Sequence, residues 1–356
     1  MTTDTQQAPA TPSERTFTWQ GVRTVLTLEL RQRVRSTRWK VALVVWFAIV
    51  GFVAALLPGL VGSSSSGGGT WVFGLILLFV LGLGLVVSPT LASTAINGDR
   101  VAGTLAILQV TRLGPAEIAV GKLLAGWLAA LAFLVISLPF LGWAALTARV
   151  APWHFLFVVL VLALLLGVVC AIGLGCSALT ARPAGSSVLT YVAVASLTVI
   201  SLIVFLVSIP AVTTEERVEV LTVPLDANAE CEWVQTTRSV IHTERTWWLL
   251  AINPFVVLAD AAPARGPESW DYGPLDAIKE GVRLARTGDQ PRYDECWSEN
   301  YPAGVTPQRE DESSDTSPVW PWGLGANLAL GGGALWLAIR RLRVPYTTLA
   351  PGTRVA

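Results

Sequence analysis

The feature that most constrains this chain is a set of six long apolar stretches, none of which carries a charge in its interior. They run from about Val41 to Leu60, Trp71 to Ala95, Leu123 to Thr147, Phe155 to Thr180, Ser186 to Pro210 and Val319 to Ile339. A bilayer core about 30 Å thick is crossed by a helix of roughly 20 apolar residues, because lipid offers backbone polar groups no partner. The expected fold is an all-α polytopic membrane protein with six transmembrane helices. Composition agrees: 53% of the 356 residues are hydrophobic and 14% charged, with a mean hydropathy of +0.56. Soluble domains carry roughly 25% charged residues. A soluble enzyme, a disordered chain and a nucleic-acid binder are excluded as readings, so no nucleic-acid partner is expected.

Orientation follows from Lys and Arg beside the spans. Seven lie in the first 40 residues, three between spans two and three (Arg100, Arg112, Lys122), one after span four (Arg182), and four at the end (Arg340, Arg341, Arg343, Arg354). Both termini are therefore expected to be cytoplasmic. The expected organisation is a disordered stretch 1–16, an amphipathic helix 17–40, spans one to five in 41–210, an extracytoplasmic segment 211–318, a last span 319–339 and a tail 340–356. Because polar and basic residues fill 1–40, no cleaved signal peptide is expected. The net charge of zero hides a strong asymmetry. The inner segments hold 15 basic and 5 acidic residues (+10), the outer segment 9 basic and 20 acidic (−11), and Arg149 the remaining +1.

Motifs for chemistry on nucleotides or peptides are missing. The Gly-Lys pair at Gly121-Lys122 is followed by Leu123, so it is no phosphate-cradling loop, and there is no G-x-S-x-G or H-E-x-x-H. No metal site is expected, and His154, beside Trp153, reads as an interfacial residue. Cys170 and Cys176 lie within span four and read as small apolar side chains. Cys231 and Cys296 fall in the outer segment, where a bridge would close a loop of about 65 residues and contribute about 3 to 4 kcal/mol. Two free thiols are the alternative. Ala163, Gly167, Ala171 and Gly175 recur every fourth residue and predict close packing against another helix, of this chain or another. Trp247 to Ala262 is apolar but too short to span, and is broken at Asn253-Pro254-Phe255. It reads as a re-entrant or interfacial pair of short helices, with a buried segment of a folded outer domain as the alternative.

The most informative segment is 97–122, between spans two and three. It joins Asp99-Arg100 to Gly103-Thr104-Leu105, an apolar run through Leu108 to Val110, and a new helix after Pro115 with Glu117 in its first turn. The pattern is helix, tight turn, helix; the plain alternative is a connecting loop. Upstream, Val22, Leu26, Leu30 and Val34 form one helix face and Arg31, Arg35 and Arg38 the other, which suits a helix on an anionic inner leaflet. Arg33 falls on the apolar side, and a simple positive-inside stop would explain the arginines equally well.

Taken together, the basic helix ending in RQRVRSTRWK, the GDRVAGTLAILQVTRLGPAEIAVGK hairpin and the NPFVVLAD segment before a last span resemble the type-2 permease subunits of ATP-binding-cassette (ABC) transporters. The resemblance covers about two thirds of the chain. It implies that the hairpin is a coupling helix docking on a separate ATPase subunit, with Asp99, Arg100, Gly103, Thr104, Leu105, Leu108, Glu117, Gly121 and Lys122 in the coupling element. The Asp99-Arg100 pair is sparser than the family's usual charge cluster, and Pro115 comes later than its usual proline. ATP and Mg would then bind the partner ATPase, and this chain would carry no cofactor and catalyse no reaction. A second permease, identical or related, would complete the path, in the plasma membrane of a bacterium and in contact with membrane lipid. Charge-free spans favour a lipid-like or hydrophobic export substrate. The competing reading is a membrane-anchored outer binding or sensing domain at 211–318, with no transport activity.

Overall fold

A computed structural model describes residues 17–61, 68–103, 113–222, 232–263, 272–288, 292–294 and 317–343. Residues 1–16, the stretch 104–112 with Thr104, Leu105 and Leu108, both Cys231 and Cys296, and 344–356 lie outside the described residues. Among those described, six helical stretches are long and apolar enough to cross a membrane. A short helix α1 (Trp19–Arg35) comes first, and α2 (Thr37–Val61) is the first of the six. α3 (Gly68–Ala92) turns through 93–96 into α4 (Asn97–Val101). α5 (Pro115–Thr147) and α6 (Pro152–Leu179) follow. The fifth span is α7 (Pro183–Ala195), one π turn (Ser196–Ile200) and α8 (Ser201–Ser208), and the last is α12 (Trp320–Leu342).

The long helices match the apolar runs to within a few residues at most ends; α5 begins eight residues earlier, at Pro115, and α3 ends at Ala92, three residues before its run does. α6 lies at the centre, packed on α3, α5, α7 and α12, with Leu162, Leu165 and Leu174 essentially inaccessible. α2 packs on α3 and α5 through Trp46, which stacks edge-on against Phe133 and donates its indole N–H to Ser137 Oγ at 2.8 Å. The outward faces of α2, α7 and α8 are apolar side chains left exposed, as lipid-facing surfaces require.

The small-residue repeat of α6 meets two different helices of this chain. Trp127 of α5 donates to Ala163 O at 2.8 Å and covers Gly167, where a Cβ would sit 3.1 Å from the indole nitrogen. At Gly175 a Cβ would meet Ala334 of α12 at 2.9 Å. A four-residue step advances about 400°, so the stripe winds about 40° per step and passes from one neighbour to the next.

The all-α expectation needs one correction, in the segment between the last two spans. β1 (Thr213–Thr222) pairs antiparallel with β2 (Glu232–Ile241), and β3 (Arg292–Asp294) adds to β1 in parallel. Val218 and Val220, on either side of Glu219, are buried with Val240, a period-two pattern that spreads thinly through an acidic sequence. Among the described residues this segment also holds three helices, α9 (Trp248–Ala251), α10 (Pro254–Ala261) and α11 (Pro274–Thr287).

Candidate functional site

The densest polar structure among the described residues gathers at the end of the bundle where α1, α4 and the start of α5 meet. α5 begins with Pro115 after Gly114, whose N–H has no helical acceptor. Glu117, three residues into the helix and 3% exposed, accepts that N–H on Oε2 at 2.7 Å. Its Oε1 accepts the backbone N–H of Thr18 at 2.7 Å and the Thr18 hydroxyl at 2.6 Å. Thr18 is the N-cap of α1 and accepts in turn from Gly21 N. One carboxylate therefore sits at the positive ends of two helices and joins them. Only hydrogen fits at Gly21, where a Cβ would lie 2.6 Å from Glu117 Cδ.

One turn further, Gly121 lets α1 cross α5 at close range: a Cβ there would meet Val25 Cβ at 2.7 Å and Val22 O at 3.1 Å. Beside it, the Lys122 ammonium contacts Glu29 Oε1 at 2.5 Å and Asp99 Oδ2 at 2.6 Å, with its own side chain 1% exposed. Arg33 continues the row, its Nη2 donating to Leu91 O near the end of α3 at 2.7 Å. Burial lowers the Arg33 pKa, and the Glu29 charge opposes that shift.

The expected apolar stripe of α1 is therefore divided. The docked face is Gly21, Val22, Val25, Glu29 and Arg33, whereas Val34 is 60% exposed. Positions four apart drift about 40° per step, so a stripe beginning at Val22 has left the contact by Val34. Arg33, which breaks the amphipathic pattern, faces the bundle because it has a carbonyl to bind.

α4 is held by the spans behind it. Ser177 Oγ of α6 accepts Ile96 N at 3.0 Å and Asn97 N at 3.1 Å, capping α4 from outside. Asn97 Nδ2 donates to Thr180 Oγ1, the Ser186 hydroxyl donates to Ser93 O, and Ser93 and Ser187 share a hydrogen bond at 3.0 Å. Beyond α4, Gly103 takes the left-handed conformation (φ 72°) that glycine tolerates best, while Arg100 and Val101 are exposed. Of the expected coupling residues, Asp99, Glu117 and Lys122 converge, Arg100 and Gly103 stand apart, and Thr104, Leu105 and Leu108 lie outside the described residues. Thr18, Glu29, Arg33 and Ser177 belong to the same constellation. Nothing in their local pattern marks them, except that Arg33 sits on an apolar face.

A second polar seam lies at the opposite end. α9 and α10 turn back at Ile252 and Asn253, inside the bundle. Asn327, seven residues and thus about 10 Å into α12, donates to Ile252 O at 2.9 Å. Asn253 caps α10 by accepting Phe255 N, and its Nδ2 donates to Thr198 O at 2.7 Å, within the π turn of the fifth span. A π turn leaves a carbonyl short of a donor, and Asn253 supplies one. Pro254 opens α10, and the Phe255 ring reaches Gly82 of α3. Asp260 closes the seam. Its Oδ2 accepts Val319 N at 2.6 Å and Trp320 N at 2.7 Å, capping α12, while Oδ1 pairs with Arg283 Nε of α11 at 2.8 Å. Lys279 of α11, 5% exposed, donates to Ala262 O at 2.5 Å, and burial pushes its pKa down to about 8 against the pull of Asp276 and Asp260.

At the base of the hairpin, His242 Nδ1 lies 2.7 Å from Glu244 Oε1, and Nε2 lies 3.0 Å from Glu216 Oε1 and 2.9 Å from Thr214 Oγ1. The hydrogen bonds to the two carboxylates, Glu244 before Glu216, raise its pKa. His154 stacks on Trp153, and Cys170 and Cys176 are buried. Among the described residues no group of three or more His, Cys, Asp or Glu side chains is placed to hold a metal. The constellations described here hold helices together and hold neighbouring segments to one another. No family model matches the chain, and no curated protein is significantly similar to it.

Proposed function

We propose that this protein is the permease subunit of an ABC exporter in a bacterial plasma membrane, with both termini cytoplasmic and α4 at the head of a coupling element. The observation that carries the reading is the Lys122 ammonium, which binds α4 through Asp99 and α1 through Glu29 while belonging to α5, a spanning helix. A displacement of α4 by a partner would be resisted at this contact, because Lys122 is buried and water screens its charge little. Force on the hairpin would then pass to a span and to α1 together. A separate ATPase would supply ATP binding and hydrolysis, and a second permease would complete the path for a lipid-like or hydrophobic substrate.

The test is co-purification with the candidate ATPase. Gly103→Asp, Leu105→Asp and Leu108→Asp together are expected to abolish capture of the ATPase and its stimulated hydrolysis, with the permease still folded. Capture and hydrolysis at the wild-type level would overturn the reading. The rival, an outer binding protein on a membrane scaffold, draws support from the β1–β2 sheet. It predicts the reverse: loss of function on removing the hairpin 213–241 and none from the Asp substitutions.

A further inference from the structure

α1 has a second face that the bundle does not use. Leu26, Leu30 and Val34 turn progressively away from the docked residues, with Arg23 among them and Arg31 and Arg35 further round the helix, and together these line an open groove along one side of it.

Two observations fix where this face lies. First, α1 runs across the spans. Thr18 to Glu29 covers about 16 Å of α1, yet its partners on α5, Glu117 to Lys122, cover about 7.5 Å, and Arg33 then reaches the neighbouring α3. Second, only Ser36, in an extended conformation, separates α1 from α2, so α1 cannot stand away from the plane in which that span ends. At its far end Phe17 and Trp19, 48% and 70% exposed, meet edge-to-face, and aromatic rings favour headgroup depth.

We infer that this second face seats on anionic phospholipid headgroups, the three arginines on phosphates and the three aliphatic side chains at the acyl boundary, and that lipid occupancy sets the position of α4 through the Glu29–Lys122–Asp99 contact. Charge complementarity selects the occupant: the groove carries three cations and no carboxylate, whereas the one acidic side chain between Arg23 and Arg35, Glu29, turns inward to Lys122. The lipid contact stands without the transporter reading. Its consequence for ATP hydrolysis rests on that reading.

The experiment uses the full chain in nanodiscs of phosphatidylcholine, with or without a minority of phosphatidylglycerol, and a benzophenone amino acid at Val34. Phosphatidylglycerol adducts should exceed the bulk share of that lipid severalfold. Each of Arg23→Gln, Arg31→Gln and Arg35→Gln should cut the enrichment, by up to about fivefold, and the Lys versions of all three should preserve it, which also shows that the chain still folds. Adducts in proportion to the bulk lipid, or adducts to a protein partner in place of lipid, would overturn the lipid site. Hydrogen exchange at Asn97–Val101 reads the second part. Phosphatidylglycerol should slow it in the wild type and leave it unchanged in Asp99→Asn, and equal exchange in both bilayers overturns the link. An ATPase that ignores phosphatidylglycerol while adducts and exchange respond would count against the permease reading alone.

Discussion

Glu117 and Thr18 stand 99 residues apart in sequence and 2.6 Å apart at their side-chain oxygens. Through this contact the chain's first helix is fastened to the start of its third span by a group that also caps that span. The N-terminal helix and the start of α5 are therefore one mechanical unit before any partner is considered.

Glu117→Gln keeps one acceptor oxygen but loses the charge that serves three donors, and is expected to weaken the docking of α1 by about 2 kcal/mol. Amide exchange along Trp19–Arg35 should accelerate about thirtyfold, with exchange in the middle of α6 unchanged. Unaltered α1 exchange would show that Val22, Val25, Glu29 and Arg33 hold the helix without Glu117.

Lys122→Met strands two carboxylates that are only partly exposed, and breaking a buried pair from one side costs about 3–5 kcal/mol. Removing all three charges together, as Glu29→Gln, Asp99→Asn and Lys122→Met, should recover most of that loss in thermal unfolding. The triple variant should also fail to transmit α4 displacement. If it unfolds as early as the single variant, the cluster is held by something other than mutual neutralisation.

Lys279 supplies a pH dependence of known sign. Its pKa falls from 10.5 unfolded to about 8 folded, so between these values the unfolded chain binds the extra proton and stability rises with pH. Below about pH 8 the buried charge costs up to about 3 kcal/mol. Lys279→Met should therefore raise the melting temperature at pH 7, less the hydrogen bond to Ala262 O, and the advantage should vanish by about pH 10.5. A variant that melts lower at pH 7 would mean that the bond outweighs the burial cost.

Gly323 and Gly325 form a matched pair on α12. A Cβ at Gly323 would lie 2.0 Å from Ala251 O, whereas nothing lies within 4 Å of one at Gly325. Gly323→Ala should cost about 1–3 kcal/mol by overpacking and loosen the return at Ile252. Gly325→Ala should be neutral or slightly stabilising. Equal effects would show that α12 shifts to make room.

Six apolar runs without a charge suffice to determine six membrane-length helices, because lipid leaves the backbone no alternative to internal hydrogen bonds. Pro115 with Glu117 marks a helix start, and Asn253-Pro254 marks another, since caps and proline act within a few residues. Period and local chemistry reach no further than that. They placed Arg33 on the apolar side of α1 without the Leu91 carbonyl that holds it there, left the Val218–Val220 strand unread among carboxylates, and gave Glu117 a single helix to cap. What the tertiary structure alone decided was pairing: Glu117 with Thr18, Lys122 with Glu29 and Asp99, Asp260 with Arg283 and the start of α12. A buried charge must find a partner, but its identity depends on which helices the packed bundle brings within 3 Å, and small residues such as Gly121 and Gly175 set those approaches.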